Sequence, residues 1–185
     1  MRSLSSWLRK FRSDVEAVAA IEFAIVLPFM LLLMIGGVEL GNGMAISVKV
    51  TETTHTVADM VSQNKCLTSA QVTGFLNASA RVISPYSVNY AVVTVSEVTT
   101  VGSGGTATVT WSQSLNGTAR PTGQVVTLPS SLASAPGNIG LILGEVTYAY
   151  APNLGYTITG TVTLSDSYYL YPRQTTFVQL KTSCP

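Results

Sequence analysis

The most pronounced hydrophobic pattern in the chain is an apolar run near its N-terminus. Residues 23–38 contain no charged side chain, and extending the run back to Val18 adds one charge, Glu22. A run of this length is sufficient for a helix to cross a hydrocarbon core of about 30 Å. The pattern therefore predicts a transmembrane helix, to which we assign residues 18–41.

The apolar positions that follow have the period of an amphipathic helix. Between residues 44 and 64 one helical face carries mainly apolar side chains. These are Ile46, Val50, Val57, Met60 and Val61, with Thr53 filling the gap. We expect the membrane helix to continue outward through this stretch. A capping box formed by Thr68 and Gln71 predicts a second, short helix, which Pro85 terminates.

Beyond the second helix the apolar positions alternate with a period of two, which is typical of strands. We expect one hairpin from residues 87–100 and 106–115 and another from residues 140–151 and 156–171. The intervening residues 116–138 are rich in Gly, Pro and Ser and predict an irregular connection. The fold class is therefore α+β: a long N-terminal transmembrane helix, continuing as an amphipathic helix, packs against an antiparallel sheet of about four strands.

The distribution of charge predicts the orientation of the membrane helix. Four basic residues precede the apolar run, and the chain past Val38 is formally neutral. The positive-inside rule places residues 1–17 in the cytoplasm and residues 42–185 on the far side. A cleavable secretory signal is the alternative, but the sequence ELGNGMAIS after the run makes a poor small-x-small site.

Composition and motifs argue against several classes of function. Only 10% of the residues are charged, and no basic stripe with interleaved aromatics points to nucleic acid. No hydrolase, nucleotide-binding or zinc motif is present, so we expect no enzyme and no cofactor. Glu52, His55 and Asp59 could share a helical face and hold a metal. A solvated face with local ion pairs is the preferred interpretation, so we assign no metal site.

The two cysteines, Cys66 and Cys184, are far apart in the sequence, and neither forms part of a C-x-x-C pair. Metal binding by these two residues alone would leave the coordination sphere incomplete. The pattern favours a single disulfide formed in an oxidising compartment. Two unpaired thiols are the alternative.

Glu22 and Pro28 are unusual residues for a transmembrane helix. An ionised carboxylate within the membrane costs about 2.5 kcal/mol or more and usually marks a partner or a function. Glu22 therefore suggests a carboxylate that seeks a cation on another helix, although it could also lie at the headgroup boundary. Pro28 lacks an amide hydrogen and leaves the carbonyl of Ala24 without its helical partner.

The segment AVAAIEFAIVLPFMLLLMIGGVELG resembles the N-terminus of TadE-like proteins, which are pilin-like components of the bacterial tight-adherence (Flp) pilus system. The matching positions are Ala17, Glu22, Phe23, Pro28, Gly36, Glu39 and Gly41. The segments GEVTYAYAP and TVTLSDSYYLYPRQT near the C-terminus also resemble the closing strands of that family. The resemblance covers both ends of the chain and weakens in the middle.

The resemblance implies processing and assembly roles for particular residues. A prepilin-type peptidase would cut between Ala17 and Val18, although Ala17 replaces the glycine that usually precedes the cut. Glu22, Phe23 and Pro28 would act in assembly. The implied partners are other pilins and pilin-like subunits, the peptidase, the inner-membrane pilus assembly platform and membrane lipid. The implied location is the bacterial inner membrane, with a periplasmic domain that could also enter the pilus.

Two functions are consistent with these patterns. The first is a minor pilin or pseudopilin that acts in assembly of a tight-adherence pilus through its apolar helix, with Glu22 as the assembly carboxylate. The alternative is a permanently anchored periplasmic binding module of a secretion or adhesion apparatus. Cleavage of the leader and a need for Glu22 distinguish the first from the second.

Overall fold

The N-terminal apolar and amphipathic stretches form one continuous helix. A computed structural model describes residues 15–102, 104–152 and 160–184, with side chains described from Val18 onward. Helix α1 (Val15–Ser62) has 48 residues and continues through Pro28 without a break. It is long and apolar enough to cross a membrane, and its most apolar window has a mean hydropathy of 2.6. The predicted continuation of the apolar helix into the amphipathic stretch is therefore confirmed.

The exposure of side chains divides α1 into two halves. Every large apolar side chain from Val18 to Met34 is exposed, by 37% to 78%. Full burial begins at Ile46 and recurs every three or four residues, because only one face of the helix meets the domain. The apolar members of this buried stripe are Ile46, Val50, Val57, Ala58 and Val61.

The second helix begins where the capping pattern predicts. In helix α2 (Ser69–Ala80), the Thr68 hydroxyl accepts from the Gln71 amide while the Gln71 side chain accepts from the Thr68 amide. This exchange satisfies two amide groups that have no partner within the helix. The helix ends in a 3-10 turn over Arg81–Ile83.

The sheet has five antiparallel strands, one more than the approximate number predicted. The strands are β2 (Ala91–Thr100), β3 (Thr106–Leu115), β4 (Val125–Thr127), β5 (Gly140–Tyr150) and β6 (Val162–Leu170). Their spatial order is β4-β3-β2-β5-β6. Separately, β1 (Cys66–Leu67) pairs in parallel with β7 (Gln179–Leu180). The α+β class, with a long helix packed on an antiparallel sheet, is confirmed.

Two predicted boundaries differ from the structure. Residues 116–138 are not wholly irregular, since β4 lies within them and pairs with the start of β3. Three residues are too few to show a period, so only the neighbouring strand reveals this one. The first strand begins at Ala91 rather than at residue 87, because Val88–Tyr90 forms a 3-10 turn. Residues 156–159 of the last predicted strand lie outside the described residues.

Both faces of the sheet carry buried apolar side chains. On one face, α1 packs against β5 so closely that a Cβ at Gly144 would lie 2.7 Å from the carbonyl oxygen of Thr54. On the other face a smaller cluster is covered by the connection between β3 and β5. The cluster consists of Val98, Ala107, Val109, Leu128, Leu141 and Leu143.

Candidate assembly helix and its junction with the domain

The candidate assembly residues lie in the exposed half of α1. The Phe23 side chain is 59% exposed, and Pro28 follows it about one and a half turns later. An exposed apolar surface of this extent marks contact with a membrane or with a partner. The structure therefore places Phe23 and Pro28 where lipid or another helix would reach them.

Glu22 lies on the same exposed surface. Within the part of the chain that the structure describes, the Glu22 side chain forms no hydrogen bond or ion pair. The backbone of Ala17 and Val18 lies one turn earlier in α1, and the Val18 side chain is 48% exposed. Residues 1–14 of the predicted leader (residues 1–17) lie outside the described residues, and processing stays a prediction.

A contact that the sequence did not indicate joins α1 to the sheet just beyond the apolar run. The hydroxyl of Tyr150, at the end of β5, donates to Oε2 of Glu39 over 2.9 Å. Burial of the hydroxyl, its hydrogen bond to Glu39 and the negative charge there raise the pKa of Tyr150 to about 12. The Tyr150 ring passes close to α1 at this level, since a Cβ at Gly43 would lie in ordinary van der Waals contact with it, 3.6 Å from Cε1. The tyrosine-rich sequence of β5 is the only signal that could have suggested this contact.

The predicted disulfide is present in the structure. Cys66 and Cys184 are bonded, with their Cα atoms 5.8 Å apart and a sequence separation of 118. The bond lies beside the β1–β7 pair, where Cys66 is opposite Gln179. Nearby, the Trp111 indole donates to the carbonyl of Val178 over 2.7 Å. The C-terminal segment is thereby fastened to the residues that follow α1.

The three residues considered as a metal site have separate partners. Glu52 forms an ion pair with a lysine one turn before it. The His55 ring stacks on Tyr168 with centroids 3.8 Å apart. Asp59 pairs with Arg173 across the domain. Over residues 15–102, 104–152 and 160–184, no group of three His, Cys, Asp or Glu side chains is placed to hold a metal ion.

Together these features define a class of protein: a chain with one N-terminal helix apolar enough to anchor it in a membrane, and an α+β domain built on the second half of that helix. Residues 17–59 match the TadE family model, described as TadE-like protein. The match confirms the predicted resemblance over residues 17–41 and extends it along the domain half of α1. The resemblance near the C-terminus lies outside the matched range. No curated protein and no solved structure matches the chain.

Proposed function

We propose that this chain is a minor pilin or pseudopilin that acts in assembly of a tight-adherence (Flp-type) pilus. The observation that best supports this proposal is the exposed apolar half of α1. It lies within the residues that match the TadE family model, and it contains a single charged residue between Val18 and Val38. In this proposal residues 18–41 associate with the helices of other pilin-like subunits. The folded domain is carried on the periplasmic side, and the role is structural rather than catalytic.

The proposed mechanism centres on the charge of Glu22. Cleavage after Ala17 by a prepilin-type peptidase would create a positive α-amine at Val18, one turn from Glu22. Opposite charges attract far more strongly in a low-dielectric helix bundle than in water, and an unpaired charge in lipid is costly. Glu22 would therefore favour insertion of the chain beside the N-terminus of a neighbouring subunit.

Phe23 and Pro28 would support the same association by different means. The exposed ring of Phe23 offers a large apolar surface next to the carboxylate. Pro28 leaves the Ala24 carbonyl without its helical donor, and membrane helices meet such a need with groups from neighbouring helices. In a helix bundle the ring could pack against an apolar neighbour and the carbonyl could find a hydrogen-bond donor, whereas an isolated helix offers neither. The inner-membrane assembly platform would be the place where the bundle forms.

The experiment that tests the proposal compares Glu22→Ala with Glu52→Ala in cells that produce the pilus. Both substitutions remove an exposed carboxylate from α1, but Glu52 lies in the part of the helix that packs on the domain, where it pairs with Lys49. We expect Glu22→Ala to remain in the membrane while the yield of sheared pili falls to background. Glu52→Ala should leave piliation unchanged, since an exposed ion pair contributes about 1 kcal/mol at most.

Two results would contradict the proposal in different ways. Normal piliation with Glu22→Ala would make the carboxylate a boundary residue and favour the permanently anchored binding module. Loss of the variant protein from the membrane would show that Glu22 serves stability rather than assembly.

A further inference from the structure

A tyrosine-lined cleft opens where α1 leaves its apolar half. Its volume is about 460 Å³, and α1 forms one wall while β5 and the turn before β2 form the others. The residues that line it include Asn42, Ile46, Tyr86, Tyr90, Tyr148 and Tyr150. Four of the eight tyrosines of the chain therefore meet at one end of the domain.

The level of the cleft along α1 places it at the membrane surface. Residues 18–38 of the helix extend about 31 Å at 1.5 Å per residue, which matches a hydrocarbon core of about 30 Å. Glu39 and Asn42 then lie in the headgroup layer. The 2.9 Å hydrogen bond between Tyr150 and Glu39 holds the end of β5 at that same level.

The chemistry of the cleft suits the interfacial layer of a bilayer. Tyr90 is 61% exposed, and its ring meets that of the buried Tyr148 edge-on, with centroids 6.3 Å apart. Tyrosine combines an apolar ring with a hydroxyl and is enriched at membrane–water interfaces for that reason. Among the described residues, those that line the cleft carry no charge. Such a surface offers hydrogen bonds to the ester and headgroup oxygens of phospholipids without selecting for anionic lipid.

We propose that this cleft docks the domain on the membrane surface by receiving the headgroup and glycerol-ester region of phospholipids, with Tyr90 inserted among them. The inference rests on the membrane anchoring in the proposed function. Docking at a second point, beside the helix, fixes the tilt of the domain relative to the bilayer. A subunit anchored in this way presents the same face of its domain whenever its helix is in the membrane.

The test uses tryptophan fluorescence in vesicles of phosphatidylethanolamine and phosphatidylglycerol. Full-length Tyr90→Trp is compared with Tyr171→Trp, both in a Trp7→Phe background. Tyr171 is a matched control because it is also exposed, at 48%. It follows the end of β6, which pairs with the start of β5, whereas the cleft lies at the opposite end of β5. Lipids brominated near the glycerol end of the acyl chain serve as the quencher. We expect the emission added by the indole at position 90 to be quenched, because aromatic side chains at the interface lie beside the brominated segment, and the emission added at position 171 to be unchanged.

Flotation of the vesicles distinguishes a failure of membrane anchoring from a failure of cleft docking. Protein that floats with the vesicles while the Tyr90→Trp variant is quenched no more than the Tyr171→Trp variant would overturn the docking proposal and leave anchoring intact. Such a result would show that the cleft faces water or another subunit. Protein that fails to float would overturn both the anchoring and the docking.

Discussion

At the scale of single residues, Glu97 is a carboxylate buried inside the folded domain, where its charge is disfavoured. It lies in β2 with 1% of its surface exposed, and its Oε1 has no hydrogen-bond partner among the described residues. A Cβ at Gly140 would lie 2.8 Å from that oxygen and 2.5 Å from the carbonyl oxygen of Thr176. The two oxygens therefore both lie against the backbone of Gly140. Burial raises the pKa of Glu97 to about 7, although a hydrogen bond with Thr110 lowers it.

This raised pKa predicts a pH-dependent stability. The folded protein holds the Glu97 proton up to about pH 7, whereas the unfolded chain releases it near the ordinary value of 4.5. The contribution of Glu97 to the free energy of unfolding should therefore be greatest below pH 4.5, fall by about 3 kcal/mol as the pH rises to 7, and then level off. Glu97→Gln should remove this decline and unfold at higher urea than the wild type at pH 8.

Urea unfolding in detergent micelles between pH 4 and pH 8 measures this effect. The fluorescence of Trp111, which is paired with Glu97 across β2 and β3, reports on the same region. Glu52→Gln serves as the control, because that carboxylate is exposed and its loss should leave the pH profile unchanged. An equal pH dependence in wild type and Glu97→Gln would contradict the prediction.

At the scale of elements, the close contact of α1 with β5 depends on the absence of a side chain at Gly144. A Cβ there would meet the Thr54 carbonyl oxygen at 2.7 Å, and side chains of Val57 and Ala58 at 3.2 and 3.3 Å. The first neighbour is backbone and cannot rotate away. We expect Gly144→Ala to lower the free energy of unfolding by about 1–3 kcal/mol through overpacking.

Gly74 in α2 provides the matched comparison. A Cβ at Gly74 would have nothing within 4 Å, and the residue lies inside a helix. Gly74→Ala should therefore raise the free energy of unfolding by up to about 1 kcal/mol, because alanine favours the helix. Urea unfolding of Gly144→Ala and Gly74→Ala, measured side by side against the wild type, checks both predictions. The packing account would be wrong if both substitutions changed stability in the same direction.

At the scale of the whole molecule, the Cys66–Cys184 bond holds the end of the chain against the residues after α1. It closes a loop with a sequence separation of 118, while the β1–β7 pair beside it has only two residues in each strand. The double variant Cys66→Ser, Cys184→Ser should lose about 2–5 kcal/mol of unfolding free energy. Denaturation with and without reductant measures this loss. Reductant should destabilise the wild type and leave the double variant unchanged.

Processing by a prepilin-type peptidase can also be tested on the whole molecule. Cleavage between Ala17 and Val18 would leave 168 of the 185 residues. We expect intact-mass measurement of protein from a strain with the peptidase to give this shorter chain. A strain without the peptidase should give the full-length mass. A full-length mass in both strains would mean that the protein is an uncleaved anchor.

The sequence by itself determined the elements whose signals are local. The apolar run before Glu39 predicted the membrane half of α1, and the period of the next residues predicted its continuation. Thr68 and Gln71 marked the start of α2 because a capping box depends only on residues three apart. Glu22 was identified as a candidate because a charge inside an apolar run is visible without any structure. The pairing of Cys66 with Cys184 followed from their number and isolation.

The tertiary structure alone decided the features that depend on neighbours far away in sequence. Strand β4 exists because β3 offers it a partner, and its three residues carry no period of their own. The burial of Glu97 depends on the C-terminal segment that covers it, which alternation along β2 could not show. The contact of Tyr150 with Glu39 joins residues 111 apart. A local pattern specifies which side chains could face a core, but only packing between distant elements decides which polar groups lose water and which tyrosines meet.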